Sequence, residues 1–355
     1  MDRREFLITS GGAAVAATSS AAAHAEGPFP AAVADGQGIP LKLSMPWADT
    51  PQGPADGVRR LARRIEAMTG GRYRIEVVAQ GSGLASEADL VHGSAHDFAP
   101  LHPAFAYFAG LPGSGGLEPR DFAHWISVGG GQMLWDDLAG RHGWKPLLAG
   151  HSGDTPPLWS REPIARLNDL AGQRISAPGL GADVARALGA EVHDTLAPHE
   201  AATALASGSV FAAEAGGLLT CFAAGLPHAA RYGTGTGLNG HGTALSLHIR
   251  QPVWERFSEA DKAIFAAAAA EEYQLSLAEA RAHAGVTRQV LATYMRVKLA
   301  PWPADITDAL GRVAEATIAH VAGRDAIAAR IDQSYMAFRS MLSGAPLPER
   351  SPLVG

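Results

Sequence analysis

Residues 169–191 read DLAGQRISAPGLGADVARALGAE, and residues 198–217 read PHEAATALASGSVFAAEAGG. Between Leu170 and Gly217 these two runs set the expected fold. Gln173, Ile175 and Ala177 alternate with Arg174 and Ser176, an extended pattern that breaks at Pro178-Gly179. Val184, Leu188 and Val192 then recur at intervals of four, the period of an amphipathic helix. The second run predicts a helix from His199 to Ala206, stopped by Gly208, and a short strand at Val210-Phe211-Ala212. Ligands of open α/β sheets sit outside the carboxyl ends of the strands. Two such ends are predicted here, at Ser176–Gly179 and at Glu214–Gly217, and they are the first place to look for a site.

Working outward, the chain of 355 residues is long enough for two lobes. Hydrophobic content of 47% and charged content of 18% are ordinary for a globular protein. A net charge of −6 without a basic block makes nucleic acid a poor partner. Cys221 is the single cysteine, so no internal disulfide and no cysteine-rich metal cluster can form. The chain opens MDRREFL, with Arg3-Arg4 ahead of Phe6-Leu7, a weakly apolar Ala/Gly-rich run from Leu7 to Ala23, and Ala23-His24-Ala25 as an A-x-A cleavage signal. The twin arginine resembles a Tat export signal, so residues 1–25 are expected to be removed near Ala25 and the mature protein to be periplasmic. The run is interrupted by Thr9, Ser10, Thr18, Ser19 and Ser20 and falls short of the ~20 apolar residues of a membrane span.

Residues 26–39 are rich in proline, glycine and alanine and read as a linker. Leu41, Leu43 and Met45 predict a strand that ends at Pro46-Trp47. Gly57–Met68 predicts a helix with Val58, Leu61, Ile65 and Met68 on one face and Arg59, Arg60, Arg63 and Arg64 on a solvated one. After Gly70-Gly71, YRIEVVA predicts a second strand, completing a right-handed βαβ unit. Between Pro252 and Pro301 there is no proline and one glycine, Gly285, and Ser258-x-x-Asp261 resembles a capping box. A helix continuous to Arg296 would be ~57 Å long at 1.5 Å per residue, enough to bridge two lobes. Two further helices are predicted at Asp305–Ala322 and Asp325–Met341.

Several quoted segments, in order, resemble one family. TGGRYRIEV (Thr69–Val77), HPAFAYFAGLP (His102–Pro112), GGGQMLWDDLAGRHGWKPLLAGHSG (Gly129–Gly153), NDLAGQRISAPGLGADVARALGAE and SYMAFR (Ser334–Arg339) look like the TRAP-transporter substrate-binding proteins, in their alpha-keto-acid-binding branch. The resemblance covers about residues 40–342. It implies an α/β, two-lobed periplasmic-binding-protein-like fold with a long lobe-bridging helix and C-terminal helices. Lobe I is expected from residues 40–148 and 240–275, lobe II from 149–239 and 276–302, and the C-terminal helices from 303–345. It also implies no catalysis, capture of a small organic solute in the interlobe cleft, and delivery to the membrane subunits of a TRAP permease. In that branch the terminal helix is often exchanged in a homodimer. Ile331, Tyr335, Phe338 and Leu342 have the spacing for that, and equally for packing on their own lobe.

The same resemblance marks the cleft and shows where this chain departs. The family reads Lys-Met-Arg-x-Pro-Gly before its turn, where the arginine forks onto a carboxylate. Here the run is Arg174-Ile175-Ser176-Ala177-Pro178-Gly179, so Ser176 occupies the arginine slot. Thr155, beside Asp154, stands for a usual glutamine, Ala215 for a tryptophan, and Asn239-Gly240 for a His-Glu pair, while Glu214 is kept. An aromatic loop is shortened to Phe98–Leu101. Trp159 matches a family tryptophan that core packing explains as well. The expected ligand-binding set is Trp47, Asp154, Thr155, Trp159, Arg174, Ser176, Glu214, Asn239 and His241. Two readings follow: Arg174, two residues along the same strand face, replaces the missing fork, or the solute is neutral or larger and is met by Ser176, Glu214, Asn239 and His241. No cofactor is expected; sodium or calcium with the ligand at Glu214 is in doubt because its usual partners are replaced.

Other motifs carry less. Gly235–Gly240 matches G-x-G-x-x-G, but GHGTALSLHI after it alternates like a strand where a helix is required. Gly150-His151-Ser152-Gly153-Asp154 misses the hydrolase elbow at its last position. His199-Glu200 has Thr203 where a zinc motif needs histidine, and His92, His96 and His102 default to surface or core roles. The alternatives to a solute receptor are a secreted hydrolase using Ser152 with His151 or His241, and a degenerate relative that binds a protein partner.

Overall fold

The computed structural model describes residues 38–47, 53–79, 87–153 and 157–344. The export signal, nearly all of the linker, and the candidate residues Asp154 and Thr155 lie outside the described residues.

In chain order the first part contains β1 (Ile39–Met45), α1 (Pro54–Met68), β2 (Tyr73–Ala79), β3 (Leu90–Ser94), α2 (Pro119–Ser127), α3 (Gly131–Gly140) and β4 (Trp144–His151). The middle part contains β5 (Trp159–Ser160), β6 (Arg174–Ser176), α4 (Leu180–Ala187), β7 (Glu191–His193), α5 (Pro198–Ser207), β8 (Ala212–Ala213), α6 (Leu218–Ala223), α7 (Leu226–Ala229) and β9 (Tyr232–Thr234). The last part contains β10 (Ala244–Arg250), α8 (Gln251–Arg256), α9 (Glu259–Thr293), β11 (Lys298–Ala300), α10 (Ala304–Ala322) and α11 (Ala326–Ser343).

Two mixed sheets result. The first has the order β2-β1-β3-β10-β4, with β1 parallel to β2 and β3 and with β10 antiparallel between β3 and β4. The second has the order β11-β9-β5-β8-β6-β7, with β6 parallel to both β7 and β8. Each sheet has its own apolar clusters. Leu41, Leu43, Val58, Leu61 and Ile65 pack between the first sheet and α1, and Leu170, Ile175, Val184 and Leu188 between the second sheet and α4. This is the two-lobed α/β fold expected.

Most predicted elements form where the periodicity places them, but Val192, read as continuing the helical period of Val184 and Leu188, lies on β7 beside Ile175, because α4 ends at Ala187 and Gly189 turns the chain back into the sheet. α1 starts three residues earlier than expected because Pro54 at its first position needs no N–H partner there. The strand before Glu214 is only Ala212–Ala213. α9 runs 35 residues, capped by the Ser258 hydroxyl accepting from Asp261 N. At 1.5 Å per residue that is about 52 Å. It stops before Arg296, whose φ of 55° is left-handed and cannot continue a helix.

Phe265, Ala268 and Ala269 of α9 join the core under α1, and Leu291 joins a cluster of the second sheet, so one helix is anchored in both lobes. Arg60 and Arg64, expected to be solvated, instead pair with Glu272 at 2.7 Å and Glu271 at 2.6 Å on α9. On α11, Ile331 and Tyr335 are buried in the chain's own core, where Leu117 N donates to the Tyr335 hydroxyl at 2.6 Å. Met341 and Leu342 at its end are exposed.

Candidate functional site

At the end of β6 the side chains of Ser176 and Arg174 are already engaged. Ser176 is buried, and its hydroxyl donates to Asp194 O at 2.9 Å and accepts from Leu196 N at 3.2 Å. It ties β6 to the loop after β7. Arg174 is exposed at the start of the same strand and donates to Ser209 O at 2.9 Å.

One turn further, Pro178-Gly179 leads into α4, with Gly179 at a φ of 54°. A side chain there would collide with His96 of the first lobe: a Cβ would lie 2.0 Å from its Nδ1. Glycine is therefore needed twice, for the backbone angle and for the approach. His96 sits on the 3-10 turn Ala95–Phe98 that follows β3, held by Ser94, whose hydroxyl accepts from His96 N at 3.1 Å. The ring is buried, and among the described residues neither of its nitrogens meets a hydrogen-bonding partner. Burial pushes it down to about 4, so it is neutral at ordinary pH.

At the end of β8 stands Glu214, only 2% exposed. Its carboxylate accepts from Leu238 N at 2.5 Å, from Asn239 N at 3.3 Å and from Asn239 Nδ2 at 2.9 Å. Burial raises it to about 7 against the pull of those donors. Asn239 also donates from Nδ2 to Pro178 O at 3.0 Å and accepts at Oδ1 from Gly181 N at 3.1 Å. One amide thus joins the 238–240 loop, the Pro178-Gly179 turn, the start of α4 and Glu214. A Cβ on Gly181 would lie 2.4 Å from Asn239 Nδ2, so this close approach also requires glycine.

The structure therefore brings Glu214, Asn239 and the turn together, and leaves other expected residues elsewhere. Trp159 is fully buried beside Leu205 and Leu226, a core position. His241, half-buried, lines a small cavity of about 10 Å³ with His151, Asn239 and Gly242. Trp47 is half-buried with its ring 5.4 Å from that of His92. A larger cavity of about 60 Å³ lies beside α9, lined by Gly53, Arg60, His92, Ser152, Thr220 and Glu272 among others. It touches both lobes and the bridging helix. His92 bonds Ala149 O through Nε2 at 3.1 Å and has no partner for Nδ1 among the described residues. No motif in the sequence singles out His96 or His92.

Ser152 is not poised for nucleophilic attack. Its hydroxyl accepts from Thr243 N at 2.9 Å, and His151 Nδ1 accepts from Gly153 N at 3.1 Å, leaving that nitrogen no part in activating a serine. Gly235–Gly240 follows β9 but leads to β10 with no helix between, which removes the nucleotide reading.

The profile of the bacterial extracellular solute-binding proteins, family 7, matches residues 48–305, more than two thirds of the chain. The chain belongs to that family. A curated relative from Nostoc sp. (strain PCC 7120), a monocarboxylate 2-oxoacid-binding periplasmic protein, is 26% identical over 96% of this chain and 95% of its own. A TRAP transporter solute-binding protein from Bordetella bronchiseptica RB50, seen as a mixed-occupancy dimer with calcium and picolinate in its bound active site, superposes with a TM-score of 0.81 at 21% identity, covering 86% of this chain and 93% of that one. A TRAP periplasmic protein from Pseudoalteromonas atlantica T6c with bound sodium and pyruvate gives 0.79 at 21% identity, over 86% and 95%. At such identities the superpositions speak for the fold of family 7, and the residues above speak for the site.

Proposed function

We propose that this family 7 protein is an exported receptor that captures a small organic solute between its lobes and passes it to TRAP-type membrane subunits. The observation that carries this is the meeting of two strand ends of the second lobe, tied by Glu214 and Asn239, with His96 of the first lobe across the Pro178-Gly179 turn. We take residues 40–148 and 240–275 as lobe I and 149–239 and 276–302 as lobe II, with α9 as the hinge. A solute that touches both lobes favours the shut state by its differential affinity.

Glu214 already accepts three hydrogen bonds, so a cation there would have to displace Asn239. Solute binding should accordingly be independent of added sodium or calcium. Export through the twin-arginine signal with cleavage near Ala25 belongs to the same reading, and N-terminal sequencing of the secreted protein checks it. A homodimer through the exposed Met341-Leu342 end of α11 is tested by light scattering.

The receptor reading is tested by thermal shift against carboxylates, 2-oxo acids, polyols, hydroxyamides and amino alcohols. A true solute should raise the melting temperature by several degrees at saturating concentration. Flat traces throughout would favour the protein-partner alternative, and ester turnover that vanishes in Ser152→Ala would favour the hydrolase.

A further inference from the structure

Of the two cavities, the one beside α9 has the room, about 60 Å³ against about 10 Å³. A water needs roughly 10–15 Å³, so about four non-hydrogen atoms fit. Its walls come from three directions: Gly53 and Gly57 at the start of α1 in the first lobe, Thr220 on α6 in the second, and Glu272, Ser276 and Glu279 on the bridging helix. The two lobes nearly meet across it, for a Cβ on Gly53 would lie 3.8 Å from Thr220 Oγ1. A ligand here would hold α1 and α6 against α9, which is what a shut state requires.

The charge on these walls has one sign. Arg60 is the one lysine or arginine lining the cavity among the described residues, and its donors are spent. Nε and Nη2 donate to Glu272 at 2.8 and 2.7 Å, and Nη1 and Nη2 donate to Glu279 at 2.8 and 3.1 Å. Asp56 stands 3.7 Å from Nη1. His92 and His151 face the cavity as neutral rings, burial having pushed them down to about 4 and about 3. One guanidinium therefore meets two carboxylates on the wall and a third beside it. Glu272 is only 3% exposed, so water screens it little.

The capacity left over is for accepting hydrogen bonds. Each carboxylate oxygen has a second lone pair. The Ser152 and Ser276 hydroxyls, which already accept from Thr243 N and His151 N at 2.9 Å, each have one as well. A primary ammonium brings three donors and a positive charge and so matches both features. A carboxylate brought here would lose its water and meet like charge.

We propose that this cavity is the solute site and that the solute is a small primary amine, its ammonium group received by Glu272 and Glu279 and its remainder by Ser152, Ser276 and Thr220. This rests on the receptor reading above and goes further by naming the solute class and the residues that read it. It sets the solute against the bridging helix, and gives it a charge opposite to that of a 2-oxoacid.

The test uses the mature protein with ethanolamine, ethylene glycol and glycolate, probes of nearly one size that are positive, neutral and negative at pH ~7. Ethanolamine should bind at least about tenfold more tightly than either of the others by calorimetry and raise the melting temperature. Glu279→Gln removes one charge at a half-exposed position and should weaken ethanolamine about three- to fivefold. Thr220→Leu fills the cavity from the second lobe without touching its charge, and should weaken ethanolamine about tenfold or more while melting near the wild-type temperature. If the leucine variant does not fold, Thr220→Val, which keeps the volume and drops the hydroxyl, should still weaken it about threefold. Tighter binding of glycolate or ethylene glycol overturns the solute class and leaves the receptor reading intact. Equal stabilisation by sodium or calcium chloride would show a bare cation site and overturn the amine. Unchanged ethanolamine affinity in Glu279→Gln and in the folded Thr220 variant overturns the location. Binding of none of the three probes overturns the amine site, and the receptor reading falls with it only if the wider thermal-shift panel is also flat.

Discussion

At the residue scale, Asn239 and Ser176 carry opposite lessons. Removing the amide in Asn239→Ala takes a side-chain partner from Pro178 O, from Gly181 N and from Glu214, leaving the turn only its own Gly181 N–Pro178 O bond at 3.2 Å. None of the three is left without a partner, so the variant should lose about 1–3 kcal/mol in urea denaturation. Ser176→Ala removes one hydroxyl with two backbone partners and should cost only about 1–2 kcal/mol, with little effect on solute affinity. An affinity loss in Ser176→Ala larger than its stability loss would return that side chain to the cleft. The sequence placed Ser176 at the right strand end, because alternation and the Pro178-Gly179 break are local signals. It could not show the hydroxyl turning to Asp194 and Leu196, since those partners belong to a loop reached only after α4 and β7 have folded back. His96 was obscure for the same reason: its importance comes from Gly179, far along the chain and in the other lobe.

At the element scale, α9 was legible as a long helix from its missing prolines and the Ser258 cap. Its partnership with α1 was not. An arginine face looks solvated until another helix brings carboxylates to it. Glu272 is buried, and Arg60 bonds it twice, at 2.7 and 2.8 Å. Arg60→Met should leave that carboxylate uncompensated and cost about 2–4 kcal/mol, lowering the urea midpoint. Burial already raises Glu272 above the usual carboxylate range while Arg60 holds it down, so the loss should shrink on acidification as the orphaned group takes up a proton. Gly285 offers the converse case. It lies inside α9 with nothing within 4 Å of a would-be Cβ, so Gly285→Ala should add about 0.5–1 kcal/mol through helix propensity alone. A stabilised variant that binds its solute more slowly would mark Gly285 as the place where the hinge bends.

At the scale of the whole molecule, acid should be the vulnerable direction. Burial pushes His92 and His96 down to about 4, and His151 and His248 down to about 3. The unfolded chain takes up these protons near pH ~6.5 and the folded one only below pH ~4, so stability is full above pH ~6.5 and drains as pH falls toward 4. Glu214, raised to about 7, and Asp97, raised to about 6, act in the opposite sense, as does Glu272. His142 is lowered as well, so the depressed histidines outnumber the raised carboxyls and the net direction is a loss of stability on acidification. A urea midpoint equal at pH 5.5 and 7.5 would contradict this. The order of strands in the first sheet has a different consequence, for the route by which the protein assembles. β10 is the strand that joins β3 to β4, and its Ser246 meets Gly93 across a separation of 153 residues. That sheet cannot be completed until the second lobe's strands β5 to β9 have been synthesised and looped out, a high contact order that slows folding. A nascent chain halted before Ala244 should carry β3 and β4 as unpaired edges, open to proteases and to aggregation, and gain protection in one step once β10 emerges.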